Sequence, residues 1–417
     1  MELLSVIVAV YNAQEYISTC INSLLKQHFL DYEIILVDDG SYDFSGEICD
    51  YYASIYANII TIHHTSNLGL VESRNSGIKI SRGKYITFVD ADDWVDDDMY
   101  ADYITKMEEY SDISISVTGT LKEDVKKGKD FFYLPHEDTI FTSNAALEEM
   151  FRRRIFGWEL WGKIYRKSVM ILMPSETAFP IGEDLQRNFQ LWQNVKKVWF
   201  SCSRCYHYRL HWESMTKKTS VLDRNLWMLF DKIYKSSNTL EVVQMLAKKY
   251  LVQELIKRLI SMFFVDHLGF YQDIQMLYAR VRDLITDLNI YQRKYGLAKN
   301  IVNLTFNAWY NFFSLEVEHM KRTIDNISAR FNHIYIYLID NDSKYLGYVL
   351  KECDKYGGDV INHSDNEAML ADKTIIHKDA TVLLLLPITS KNFTDVRYIE
   401  SRLKAFNYLE TDLTRFI

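Results

Sequence analysis

YITFVDADD, residues 85–93, runs an apolar segment straight into three carboxylates. Tyr85, Ile86, Thr87, Phe88 and Val89 suit a strand buried in a sheet, and Asp90, Asp92 and Asp93 follow where that strand ends. Carboxylate oxygens are the ligands that a hard divalent cation such as Mg²⁺ or Mn²⁺ prefers. In open α/β sheets, ligand sites lie beyond the carboxyl ends of the strands. Aspartate is also a common turn residue, so a DxD by itself is a weak signal. The segments around it decide its meaning.

Upstream, the chain alternates strand and helix. SVIVAV (5–10) reads as a buried strand, and residues 13–27 as an amphipathic helix with Tyr16, Ile17, Ile21, Leu24 and Leu25 on one side. EIILVDD (33–39) is a second buried strand, a helix is predicted over 43–56, and NIITIHH (58–64) forms a third strand. A further helix at 69–80 leads through Gly83 into the strand at 85–89. This order implies right-handed crossovers and a mostly parallel sheet.

Downstream the pattern loosens. A strand at 112–118 and a polar connection, KEDVKKGKD (122–130), precede a helix predicted at 143–155. Residues 156–210 look loop-rich but aromatic. From 220 to 330 the chain turns helical, with Tyr250, Leu251, Leu255, Leu259, Ile260 and Phe263 as a core-facing stripe. The last part, with IYIYLID (334–340), a helix at 343–356, DVINH (359–363) and TVLLLLPI (381–388), suggests a small α/β add-on. The expected division is therefore 1–219, 220–330 and 331–417.

Composition narrows the function. At 417 residues, with 48% hydrophobic and 14% aromatic residues, the chain has material for more than one real core. A net charge of −8 without a long basic run excludes a nucleic-acid backbone as the main partner. Any phosphate is then managed by a metal and a few placed cations. MELLSVIVAVYN lacks the basic start and cleavage site of a signal peptide, and Val382–Ile388, the densest apolar run, is too short to span a bilayer. The cytoplasm is the expected compartment, with attachment at the membrane periphery left open. The five cysteines are scattered, and Cys202 with Cys205 lacks a second ligand pair for zinc. No GxGxxG follows the first strand, which excludes a Rossmann-type dehydrogenase.

Four segments fall where a nucleotide-sugar site needs them. SVIVAVYN (5–12) places Tyr11 and Asn12 at the sheet's carboxyl edge. VDDGSYD (37–43) puts Asp38 and Asp39 where a carboxylate can take a base N–H or a ribose hydroxyl, or simply close a turn and cap a helix. ESRNSGI (72–78) sets Arg74 and Asn75 early on a helix, where a guanidinium can bridge ribose, diphosphate or the aspartates. GKYITFVDADD (83–93) adds the metal ligands.

Together, in this order and spacing, these segments resemble the family 2 glycosyltransferases with the GT-A fold. The likeness is dense over residues 1–100, with one departure at Ala9, where the family often has proline. It continues more thinly to about 215 through WGKIYR (161–166), FPIGED (179–184) and YHYRLHWES (206–214). The resemblance implies that Asp184 is the catalytic base, with Glu183 beside it and Trp161 and Lys163 on the substrate side. It assigns Asp92 to the cation, Mn²⁺ or Mg²⁺, and Asp90 to ribose or a metal-bound water. Ala9, Tyr11, Asp39, Arg74 and Ala91 then line the nucleotide. Arg209 approaches the diphosphate or the metal, as do Ser214 and His211, in an order the varying spacing leaves open. The implied reaction is inverting transfer of a hexose, galactose or glucose favoured, from a UDP-sugar to a hydroxyl of a glycan or glycoprotein. Acceptors consistent with the resemblance are serine-rich adhesin glycans or capsular and teichoic-acid polymers. The alternative is a transferase fold kept only to bind a glycan or protein. The helical part and add-on are expected to shape acceptor binding or contacts in a homo-oligomer.

Overall fold

The computed structural model describes residues 3–28, 31–124, 130–133, 137–153, 155–173, 182–210, 226–266 and 268–286. Short pieces at 306–307, 310, 314, 333–338, 359–361 and 380–385 complete the description. The chain divides into two units, Met1–Thr216 with Met228–Ala247, and Lys217–Trp227 with Lys248–Ile417.

The first unit is built on one large mixed sheet. Its first half alternates as the sequence pattern predicts: β1 (Leu4–Val10), α1 (Ile17–Leu25), β2 (Tyr32–Asp38), α2 (Ser45–Ile55), β3 (Ile59–His63), α3 (Leu70–Ile80) and β4 (Tyr85–Asp90). The strands lie parallel in the order β3-β2-β1-β4. Their apolar runs are continuous because helices cover both faces, so nearly every residue of β1 and β2 is buried. Each buried Val, Leu or Ile contributes roughly 1.5–3 kcal/mol. The register sets the carboxyl ends level, with Ala9 between Val37 and Asp90, and Val10 opposite Asp38.

Gly77 explains how close α3 comes to this sheet. A Cβ there would lie 2.4 Å from Cγ2 of Ile7 on β1. Any larger residue would push the helix outward, and Arg74, one turn earlier, would lose its reach to the sheet edge. The RNSG run (74–77) thus couples a packing glycine to a functional arginine.

The second half of the sheet is less regular. It comprises β5 (Trp94–Val95), α4 (Met99–Glu109), β6 (Ile113–Asp124), β7 (Asp130–Tyr133), β8 (Thr139–Thr142), α5 (Ser143–Arg152), β9 (Lys163–Arg166), α6 (Glu183–Trp192) and β10 (Lys197–Leu210). From β4 the order runs β9-β6-β10-β5, with β9 antiparallel to both β4 and β6 and β10 parallel to β6. The region 156–210, expected to be loop-rich, therefore contains two strands and a helix. β10 escapes sequence reading because it is interrupted by polar residues, KVWFSCSRCYHYRL, and carries a register shift between Phe200 and Cys205. β6 also runs into the segment that looked like a polar connection, as far as Asp124.

Among the described residues, helices α7 (Leu226–Tyr234), α8 (Glu241–Asp266) and α9 (Tyr271–Thr286) follow. Within the second unit, Tyr271, Tyr278, Phe306 and Tyr310 pack ring against ring. Strands β11 (His333–Leu338), β12 (Asp359–Ile361) and β13 (Ala380–Leu385) form a separate parallel sheet with β11 in the middle, at the positions the sequence pattern suggests. The helix expected at 343–356 lies outside the described residues. Among the described residues no helix is long and apolar enough to cross a membrane.

Candidate active site

The carboxyl ends of β1, β2 and β4 form one edge, and acidic residues gather there. At the end of β4, Asp90, Asp92 and Asp93 each offer a carboxylate oxygen, all within 4.8 Å of one another. Asp93 is buried, receiving a hydrogen bond from the Tyr206 hydroxyl (2.6 Å) and another from the Arg209 backbone N–H (2.8 Å). The same Tyr206 oxygen accepts from the Asp90 N–H (3.1 Å). Burial, then the charges of Asp92 and Asp90, push the Asp93 carboxyl well above the usual range. Asp90 is raised to about 6, by burial first and then by Asp92 and Asp184, against the opposing pull of Arg74. Three hard oxygen donors in mutual repulsion fit a divalent cation.

Arg74 ties this cluster to a second one. Its Nη2 lies 3.0 Å from Asp90 Oδ1, and its Nη1 lies 2.6 Å from Glu183 Oε2 and 2.5 Å from Asp184 Oδ1. Arg74 is 2% exposed, so one buried guanidinium serves three carboxylates. Burial would lower its pKa, but Asp184, Glu183 and Asp90 outweigh that and hold it charged. Glu183 and Asp184 begin α6, where the helix dipole favours anions. Their environments separate them. Burial raises both, yet Arg74 and Arg187 bring Glu183 below its ordinary value. For Asp184, burial dominates over Arg74, Glu183 adds to it, and the carboxyl rises to about 7. A carboxylate that titrates near neutrality has the strength required of a general base.

The nucleoside side of the edge is arranged differently. Tyr11 is 44% exposed at the end of β1, with its ring edge-on to Tyr42 at 6.2 Å. Asn12 adopts the left-handed conformation (φ 49°), which asparagine tolerates, and its side-chain oxygen accepts from the Tyr42 N–H at 3.0 Å. Asp39 is buried. Its Oδ1 accepts from Leu68 N–H (2.9 Å) and meets His64 Nδ1 at 2.7 Å, while its Oδ2 accepts from Gly69 N–H (2.8 Å). It therefore ties the end of β2 to the start of α3.

Arg209 stands beside the aspartates. Its Nε donates to the Asp92 carbonyl (2.8 Å), and its guanidinium covers the rings of Trp94 (4.6 Å) and Tyr16 (5.3 Å). Ala9 and Ala91 lie at the same edge, Ala91 buried. Trp161 stacks on Tyr206 (4.6 Å) and Tyr208 (5.3 Å), supporting the tyrosine that holds Asp93. Lys163 is buried, its Nζ donating to the Glu159 carbonyl, and burial lowers its pKa to about 8. His211 and Ser214 lie outside the described residues. The structure thus brings Asp90, Asp92, Arg74, Glu183, Asp184 and Arg209 together, with Tyr11 and Asp39 on the adjoining strand ends. Sequence reading assigns no role to Tyr206, although it stands in the YHYR run, or to Arg187, although it follows Glu183 at i,i+4 spacing.

These features define a class. Residues 5–165 match the glycosyl transferase family 2 model, and this stretch is a family 2 glycosyltransferase domain with the GT-A fold. Among similar curated proteins is glycosyltransferase GlyG of Streptococcus pneumoniae serotype 4, 34% identical over 158 residues, covering 38% of this chain and 52% of GlyG. Glycosyltransferase GlyA of the same organism is 25% identical over 378 residues, covering 86% of this chain and 51% of GlyA. The chain thus spans about half the length of these relatives. Among solved structures, S. aureus TarS 1–349 in complex with UDP-GlcNAc superposes with a TM-score of 0.53 at 19% identity, covering 78% of this chain and 92% of that one. That likeness is one of fold.

Proposed function

We propose that the chain is an inverting, divalent-metal-dependent glycosyltransferase that moves a hexose from a UDP-sugar to a hydroxyl of a glycan or glycoprotein. The observation that carries this reading is Arg74, which joins Asp184, a carboxyl raised to about 7, to Asp90 of the aspartate cluster. The base and the cation-binding group are thereby held at one edge. TarS, which shares the fold, was solved with UDP-GlcNAc, and this favours a UDP-sugar donor.

In this mechanism Tyr11 stacks on the nucleobase and Asp39 faces the nucleoside. Asp92, with Asp90 and Asp93 beside it, would hold Mn²⁺ or Mg²⁺. Such an ion supplies positive charge against the departing diphosphate. Arg209 adds a fixed guanidinium on the same side. Asp184 takes the proton from the acceptor hydroxyl as that oxygen bonds to the anomeric carbon. The bond from that carbon to the diphosphate oxygen breaks on the opposite face, so an α-linked donor gives a β-linked product. Glu183 keeps Arg74 in place, while Trp161 and Lys163 shape the acceptor side. The helical segment 220–330 and the add-on from 331 would bind acceptor or mediate oligomer contacts, and a cytoplasmic site of action fits a nucleotide-sugar donor.

The test is nucleotide release from a panel of nucleotide sugars, with Mn²⁺ or with EDTA. Metal-dependent release from one UDP-sugar is the expected result. No release, together with no nucleotide binding by calorimetry, would favour a module that only binds.

A further inference from the structure

We propose that Arg187 is a positioning residue that, by pairing with Glu183, sets how firmly Arg74 holds the base Asp184. This rests on the reading of Asp184 as the base. Arg187 is wholly buried on α6, one turn after Glu183. Its Nε lies 3.1 Å from Glu183 Oε1, and its other nitrogens donate to Asn75 Oδ1 (3.1 Å) and the Ile171 carbonyl (3.3 Å). Asn75 is itself fixed, with Nδ2 donating to the Met173 carbonyl and Oδ1 accepting from Met173 N–H.

Charges therefore alternate along one line: Arg187, Glu183, Arg74, and then Asp184 with Asp90. Glu183 has two guanidinium partners, whereas Asp184 has a share of one. This inequality confines the permanent negative charge to Glu183 and leaves Asp184 to exchange its proton. Without Arg187, Glu183 would depend on Arg74 alone and draw it from the base. Other groups facing Asp184 are Lys163 and Tyr165 on β9 and Asp90 on β4. The ion pairs of Glu183 are with Arg74 and Arg187.

The experiment is the pH dependence of kcat/KM for the full chain and four variants. Arg187→Met leaves a net negative neighbour and should move the acid limb up by about one pH unit, the lower end of what an adjacent charge does. Glu183→Gln leaves a net positive neighbour and should move it down by a similar amount. The double variant removes both charges and should return the limb close to wild type, the sum of two opposed displacements, whereas a merely structural role would displace both single variants in one direction. Arg187→Lys, which keeps the charge, should stay near wild type. Displacement of both single variants in one direction, or no rescue in the double, would overturn the proposal. If Arg187→Met fails to fold, an unmoved acid limb in Glu183→Gln overturns it. A wild type without turnover on any donor would instead count against Asp184 as base. Carboxyl titration followed by ¹³C NMR would then test the same opposed displacements without turnover.

Discussion

Asp38 and Asp39 close β2, while Asp90, Asp92 and Asp93 close β4, and β1 separates the two strands. As strings of letters the two strand ends are alike. The chain satisfies the first group itself: Asp39 takes two backbone N–H groups and a histidine, and Asp38 takes Ser41 N–H (3.2 Å) and His63 Nδ1 (3.0 Å). The second group faces its own like charges: Asp90 shares Arg74 with two other carboxylates, and Asp93 accepts from the Tyr206 hydroxyl and the Arg209 N–H. The contrast is between carboxylates held apart by histidines and backbone N–H groups and three carboxylates whose oxygens crowd within 4.8 Å of one another, the arrangement a cation would relieve.

The largest expected difference between the groups is in turnover. Asp92→Ala should abolish metal-dependent release of UDP, whereas Asp38→Asn should retain most of it, and equal losses would erase the distinction. Stability should separate the groups next, with opposite signs. Asp39→Asn removes an ionised acceptor from three donors and should cost about 1.5–3 kcal/mol in denaturant unfolding. Asp93→Asn should instead stabilise the EDTA-treated protein at pH 8. The sign follows from linkage: the folded-state pKa of Asp93 lies above its unfolded value, so its contribution is present below about pH 4 and is lost as pH rises through the folded value. The advantage of Asp93→Asn over wild type should therefore grow from pH 5 to pH 8, and a shrinking gap would contradict the account. Mn²⁺ should raise the thermal midpoint of wild type by a few degrees at pH 8, at millimolar ion and typical affinity, and leave Asp92→Ala unchanged. The smallest predicted effect is a pH profile: log kcat/KM should rise through an acid limb near 7 as Asp184 loses its proton.

How far the sequence discloses this arrangement depends on the segment. β1 to β4 are legible because each is a short, largely apolar run that gives way to polar turn residues, at spacing that leaves room for a helix. Asp90 and Asp92 are legible for the same reason, since they follow such a run. β10 is not, because Ser, Cys, Arg and His interrupt its apolar residues and its pairing shifts register midway. Asp184 came from family resemblance alone, as no local rule brings it to an arginine 110 residues earlier. Tyr206 meets Asp93 across 113 residues and Arg187 meets Asn75 across 112, contacts that only the folded chain discloses, whereas Arg187 and Glu183 stand at i,i+4 spacing on one helix.

The most direct test of the central claim is Asp184→Asn, measured for transfer from the preferred UDP-sugar and for binding of UDP with Mn²⁺ by calorimetry. The account predicts near-normal binding and a loss of transfer of about 10²–10⁴-fold, the usual range for a general base. Binding retained with transfer at the wild-type rate would contradict it.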